Sequence, residues 1–182
     1  MVAESVSTKT TWAIDKAHSG AEFSVKHMMF TNAKGRFAEL QGTLELDSAD
    51  VTKSSVDVVI DVSSISTNDE KRDGHLKSGD FFDAETFPTI TFKSTRVESV
   101  GSDRLKVTGD LTIRDVTRPV VLDTTSHGQA ATPFGTTIAA FSAETSISRK
   151  DFGLVWNVAL ETGGVMVGDN VKIALEIEGV KQ

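Results

Sequence analysis

The chain predicts an all-β protein of antiparallel strands with one short helix inserted. Three observations carry this. A two-residue hydrophobic alternation recurs along most of the 182 residues, short polar turns separate the alternating runs, and one segment, 67–92, breaks the pattern. Alternation with period 2 gives each strand one buried and one wet face, and tight turns between such runs favour antiparallel neighbours over crossovers.

Residues 1–10, MVAESVSTKT, read as a flexible lead-in, and a single domain is expected over 11–182. A first strand is expected at 11–15. In 21–29, Ala21, Phe23, Val25 and Met29 share a face, with Glu22, Ser24 and Lys26 opposite. One strand is expected over 35–46. Val56, Val58, Ile60 and Val62 then alternate with Asp57, Asp61 and Ser63. Beyond the helix come a strand at 89–98 and one in which Leu105, Val107, Leu111 and Ile113 alternate with Lys106, Thr108, Asp110, Thr112 and Arg114. Strands at 118–127 and 134–148 follow, with Pro119 near a strand start, where a ladder tolerates it. Val171, Ile173, Leu175 and Ile177 close the series against Lys172, Glu176 and Glu178. Turns are expected at Ser48-Ala49-Asp50, Gly101-Ser102-Asp103, Thr132-Pro133 and Gly168-Asp169-Asn170.

The exceptional segment starts with Thr67 and Glu70 at capping-box spacing, so a helix is expected over about 68–78, limited by Gly79 and Pro88. Phe81 and Phe82 are consecutive and point apart, so at least one should plug an apolar site. Beside one end of a barrel, a helix with such a plug would form a lid.

Composition excludes several functions. There are no cysteines, hence no disulfides, thiolate metal sites or cysteine nucleophiles. A net charge of −7 argues against nucleic acid and against electrostatic attachment to anionic membranes. No run approaches the roughly 20 apolar residues of a membrane span, so no stable membrane insertion is expected. The N-terminus lacks a signal-peptide pattern, which makes a cytoplasmic location the expectation, or a periplasmic or secreted one if a leader was removed. The four histidines show no HxH or HExxH spacing, so no metal site is expected. No nucleophile elbow, P-loop or dinucleotide fingerprint is present, so no catalytic residue is assigned.

RDGHLKSGDFF at 72–82, followed by FPTITF at 87–92, resembles the signature of the YceI-like family, lipocalin-like polyisoprenoid-binding proteins. Four further segments agree in order: TWAIDKAHSGAEFSVKH at 11–27, GDLTIRDVTRPVVL at 109–122, SRKDFGLVWN at 148–157 and VGDNVKIALEIEG at 167–179. Strand phases leave a sandwich and a barrel open. The resemblance decides for an eight-stranded antiparallel barrel that holds one long isoprenoid lipid, such as a polyprenyl derivative or prenylated quinone. It implies no cofactor besides that lipid, and suggests a homodimer.

Strand phase and resemblance together select a candidate pocket: Phe23, Val25, His27, Phe37, Val58, Ile60, Phe82, Phe92, Leu111, Ile113, Phe152 and Trp156. His27 follows the inward face of its strand. It reads as a core histidine with a hydrogen-bond partner, or as a contact for a lipid head group. His18, in Asp15-Lys16-Ala17-His18-Ser19, reads as a turn residue bonding the backbone, or as half of an acid–base pair with Asp15. Arg72 with Asp73, and Arg149, Lys150 and Asp151, read as surface pairs or as a basic site for a lipid's polar end. Phe152, Leu154 and Trp156 alternate as one apolar face. The expected function is to sequester or transport an isoprenoid. The rivals are a lipid-modifying enzyme using His18 or His27, and a solid-cored β module that binds protein.

Overall fold

A computed structural model describes residues 7–182. Among them, eleven strands form one antiparallel sheet: β1 (Lys9–Ile14), β2 (Gly20–His27), β3 (Thr31–Phe37), β4 (Leu40–Asp47), β5 (Ser55–Asp61), β6 (Ile65–Ser66), β7 (Thr89–Ser99), β8 (Arg104–Ile113), β9 (Val116–Ala131), β10 (Thr137–Ser148) and β11 (Val167–Lys181). The neighbours run β1-β4-β5-β7-β8-β9-β10-β11, and a β1–β11 pairing closes the sheet.

Eleven strands make eight staves. β1 and β2 lie end to end along β11, with Trp12 opposite Lys181 and Phe23 opposite Ile173. β4 pairs with β1 and β3 with β2, so these two continue one another. β5 pairs with β4 and β6 with β3, which makes a third bent stave. With β7 to β11 they form the closed eight-stranded antiparallel barrel. The strand expected over 35–46 is thus part of one stave, broken at Ala38 and Glu39. There the Ala38 N–H donates to the Ser64 carbonyl and the Asp61 N–H donates to the Glu39 carbonyl.

Other local expectations are corrected. Thr67 does not cap the helix. Asn68 takes a left-handed φ of +61°, and α1 (Glu70–Lys77) is capped by Asp69, whose carboxylate accepts from the Arg72 N–H. Met29 leaves the inward face of β2, because Met28 and Met29 turn at φ +52° and +68°. Phe134 belongs to the β9–β10 turn and is exposed. The Thr132 hydroxyl holds that turn by accepting from the Phe134 and Thr136 N–H groups. Residues 168–170 form no separating turn. β11 runs through them, with a register shift between Val167 and Val171. Of the expected lead-in, Lys9 and Thr10 belong to β1, while residues 1–6 lie outside the described residues. Pro119 pairs with Asp110 on β8 in a part of β9 that β10 does not reach, so one side of the strand is an edge there, where proline is tolerated.

The topology gives the barrel two distinct ends. The start of β1, the end of β11 and the β4–β5, β7–β8 and β9–β10 turns share one. Trp12 is fully buried there opposite Leu44, where Gly179 leaves room: a Cβ on it would stand 3.2 Å from Trp12 Cβ and 2.9 Å from Leu44 Cδ1. The other end carries the β2–β3 turn, α1 and the long β10–β11 connection.

Candidate ligand-binding cavity

Inward positions on all eight staves border a cavity of about 610 Å³. All twelve residues singled out by strand phase and resemblance border it. Two inward glycines seat its aromatic rings. A Cβ on Gly109 would collide with the Phe92 ring and stand 2.6 Å from the Lys93 carbonyl oxygen. A Cβ on Gly35 would collide with the Phe23 ring and stand 2.8 Å from Thr67 Cγ2. Small residues thus set how far each ring reaches inward.

The middle of the wall is aliphatic, with Val58, Ile60, Leu111, Leu122, Leu175 and Ile177. Toward the end that carries the β4–β5 turn the lining turns to hydroxyl and polar groups, including Ser54, Ser99, Ser126 and Gln129. At the helix end aromatic rings take over. Phe37 packs at 5.7 Å from both Phe23 and Phe82, while Phe81, Trp156 and His75 form a second group with centroids 4.6 to 5.5 Å apart. Edge and tilted arrangements of this kind suit the ring quadrupoles. Phe81 is buried and Phe82 half-buried, so both phenylalanines of the pair face the cavity.

His75 and Phe81 were missed in the candidate pocket, although one signal was present. Arg72, His75 and Leu76 stand at helical i, i+3 and i+4, hence on one face, and all three border the cavity. His75 Nε2 lies 2.8 Å from Asp80 Oδ2. Arg72 and Asp73 do not pair with each other. Arg72 donates to the Thr67 hydroxyl and carbonyl at 2.8 Å, and Asp73 Oδ1 accepts from the Thr67 N–H and hydroxyl at 2.8 and 2.6 Å. Buried Thr67 is therefore the hub that ties α1 to the barrel.

Arg149 corrects the surface-pair expectation most strongly. Its side chain is only 5% exposed. Its guanidinium donates to the carbonyls of Gly168, Leu154, Trp156 and Val167 at 2.7 to 3.2 Å. It clamps both ends of the β10–β11 connection and holds Leu154 and Trp156 against the cavity. Burial pushes the guanidinium below its usual value, while Asp169 at 3.6 Å opposes that shift. Asn157 reinforces the clamp through both the N–H and the carbonyl of Val167. Phe152 lies in a 3-10 turn, Arg149–Phe152, rather than on a strand. It reaches the core because the chain curls over the barrel end.

His27 is exposed at the end of β2, on the cavity rim, and is not the hydrogen-bonded core histidine of one reading. His18 bonds a carboxylate rather than the backbone. Its Nδ1 lies 2.8 Å from Asp15 Oδ2 and 3.7 Å from Glu178 Oε1. The Asp15 bond raises the imidazole's pKa, and that same bond holds the Asp15 carboxyl below its ordinary value. The group joins the β1–β2 corner to β11 on the barrel seam, outside the cavity wall.

No helix among the described residues is long and apolar enough to cross a membrane. The outward faces carry exposed charges such as Glu22, Asp57, Lys106, Asp110 and Lys172. The apolar side of this barrel is its inside, the reverse of a membrane-spanning barrel.

The cavity-bearing fold has close counterparts. The structure is similar to BcnA of Burkholderia cenocepacia, with a TM-score of 0.77 and 26% identity over 91% of this chain and 98% of that one. It is similar to the YCEI protein of Campylobacter jejuni, with a TM-score of 0.74 and 30% identity over 86% and 90% of the two chains. A polyisoprenoid binding domain from Saccharophagus degradans, implicated in plant cell wall breakdown, shares the fold at a TM-score of 0.68 and 16% identity, over 95% and 99% of the two chains. In sequence, the chain is 38% identical to UPF0312 protein SA2479 of Staphylococcus aureus over 170 residues, covering 93% of this chain and 96% of that protein. The model of the YceI-like domain matches residues 12–179, and the chain belongs to the YceI-like family.

Proposed function

We propose that the protein binds a long-chain isoprenoid lipid inside the barrel and sequesters or carries it. One observation carries the reading: the cavity of about 610 Å³ runs the length of the barrel, with a wall that is aliphatic and aromatic except toward its ends. At about 30 Å³ per water-sized group, that volume takes roughly twenty heavy atoms. Burying that many methylene-sized groups contributes roughly 16 kcal/mol at about 0.8 each. Association opposes this by an estimated 4–15 kcal/mol, so a tail of a few prenyl units binds without any directional bond. Among the described residues no buried side-chain polar atom lacks a partner, so the wall makes no demand for polar groups on the ligand. The polyisoprenoid binding domain of Saccharophagus degradans has the same fold, but its 16% identity does not carry that ligand to these residues. The cavity does the arguing.

The two histidines that a lipid-modifying enzyme would use are poorly placed for it. His18 stands outside the cavity wall, and His27 has no carboxylate within ion-pair distance among the described residues. The test is organic extraction of purified protein followed by mass spectrometry. Masses spaced by isoprene units, or one prenylated quinone, are expected. Fatty acids alone would keep a lipid-binding barrel and discard the isoprenoid. No lipid, together with no uptake of added polyprenyl compounds, would overturn the reading.

A further inference from the structure

The β2–β3 turn breaks the rules of its own chemistry. A tight hairpin that needs left-handed backbone is normally built from Asn, Asp or Gly. Here Met28 and Met29 supply it, with φ of +52° and +68°, and Phe30 follows. Packing compensates only in part: the Met29 side chain lies against Gly164, where a Cβ would stand 3.0 Å from its sulfur. Met28 is 39% exposed, Met29 55% and Phe30 87%. A strained turn that spends large apolar side chains on solvent points to a function outside the folded core.

Its neighbourhood says which. The Met28 N–H donates to the Met166 carbonyl, and the Met166 N–H donates to the carbonyl of Val158, itself exposed. The tip therefore adjoins the β10–β11 connection, where Val158 adds exposed apolar surface next to a polar turn at 160–164 that carries Glu161. His27 and Met166, immediately behind it, border the cavity. On the outer face of the same hairpin stand Lys26 and Lys34. Their register, Lys26 opposite Asn32 and Ser24 opposite Lys34, makes them diagonal neighbours. Neither has an ion-pair partner among the described residues, and both are exposed or half-exposed. An apolar tip backed by free ammonium groups is the pattern of an interfacial membrane contact, in which side chains enter the acyl boundary and cations meet lipid phosphates.

We propose that the β2–β3 tip is a membrane-contact element: Met28, Met29 and Phe30 enter the bilayer interface and Lys26 and Lys34 meet headgroup phosphates, which sets the helix-end rim of the cavity at the membrane. The proposal rests on the lipid-carrier reading and adds where the lipid passes. A second copy of the chain is the less favoured occupant. A few side chains on a protruding turn fall short of the roughly 800 Å² each partner gives a stable dimer, whereas a bilayer needs no matched surface. The net charge of −7 makes the contact transient and confines the attraction to this edge.

Co-sedimentation with phosphatidylcholine vesicles, with and without phosphatidylglycerol, tests it on the full chain. The parent should partition to both, more strongly with phosphatidylglycerol. The triple variant Met28→Ser, Met29→Ser, Phe30→Ser should bind about tenfold or more weakly. Lys26→Gln with Lys34→Gln should remove only the phosphatidylglycerol gain. As a second measurement that leaves the tip apolar, Phe30→Trp should shift its emission to the blue on adding vesicles. Failure of the parent to bind, equal binding by the triple variant, or loss of a dimer on tip substitution with vesicle binding unchanged would each overturn the proposal. Organic extraction needs no vesicles, so a lipid-loaded protein that ignores vesicles removes the tip proposal alone. A vesicle-binding protein that never carries lipid removes the carrier reading instead.

Discussion

Leu111→Trp separates an open cavity from a closed core. Leu111 is half-buried on β8, paired with Phe92 across the ladder and two residues from Gly109. Leu111 borders the cavity of about 610 Å³, so an indole there has open space to enter. In an open space, the larger ring removes more apolar surface from water and the barrel stays as stable or gains slightly. In a filled core, the same change overpacks and costs about 1–3 kcal/mol. For a chain of this size each kcal/mol moves Tm by roughly 2–4 °C, so overpacking would lower Tm by about 2–12 °C. Ligand supplies the second readout. A prenyl alcohol at about one hundred times Kd stabilises the parent by about 2.7 kcal/mol, a rise of roughly 5–11 °C. Calorimetric melts of parent and variant, with and without geranylgeraniol, read both quantities. The variant should melt near the parent and lose the ligand-dependent rise. A large drop in the variant's Tm, with no ligand effect on the parent, would refute the cavity.

Arg149→Met keeps an unbranched apolar stem and removes the donors, leaving the Gly168, Leu154 and Trp156 carbonyls without this partner, while Asn157 still donates to that of Val167. A buried group left unpaired costs about 1–3 kcal/mol, so denaturant melts should show a loss of at least about 3 kcal/mol. Hydrogen exchange should quicken first in 153–167, and a melt equal to the parent's would refute the clamp. The seam pair makes a pH prediction. Asp15 is lowered from 3.8, so its contribution holds above that value and is lost as pH falls through the folded pKa. His18 is raised from 6.5, so its contribution holds below that value and is lost as pH rises through the folded pKa. The pair is strongest between these limits. An NMR titration should put the His18 midpoint above 6.5 and return it toward that value in Asp15→Asn; an unmoved midpoint would refute the coupling.

The inward faces were legible because period 2 is a strong signal and each stave keeps it for several residues. That is why twelve residues chosen by phase and resemblance all border one space. Breaks in the staves were not legible, since Ala38-Glu39 carries neither proline nor glycine and the chain bends there through long-range carbonyl bonds. Arg149 was misread because sequence shows a cation beside Lys150 and Asp151, while four carbonyls from 154–168 decide its place. Phe152 was placed correctly at the core for an incomplete reason, as its alternation with Leu154 and Trp156 belongs to a curled connection rather than a strand. His27 shows the limit of phase. The face was right, but the strand ends there and the ring meets solvent.

Tight burial and release oppose each other in a lipid carrier. The fold answers with unequal stability between wall and cover. Continuous ladders join all eight staves, so opening the wall breaks many bonds at once. The helix end has no such ladder. No residue of α1 is buried, and the helix is held by the Thr67 hub and by backbone bonds from Phe82 to Leu76 and from Ala84 to Lys77. Phe81, Phe82 and Trp156 give this cover its apolar underside, and a tail in the cavity would extend the same contacts. If this cover is a lid, amides between Glu70 and Phe82 should exchange faster than those of Val56–Val62 and slow on adding a polyprenyl lipid; exchange rates unchanged by lipid would refute it.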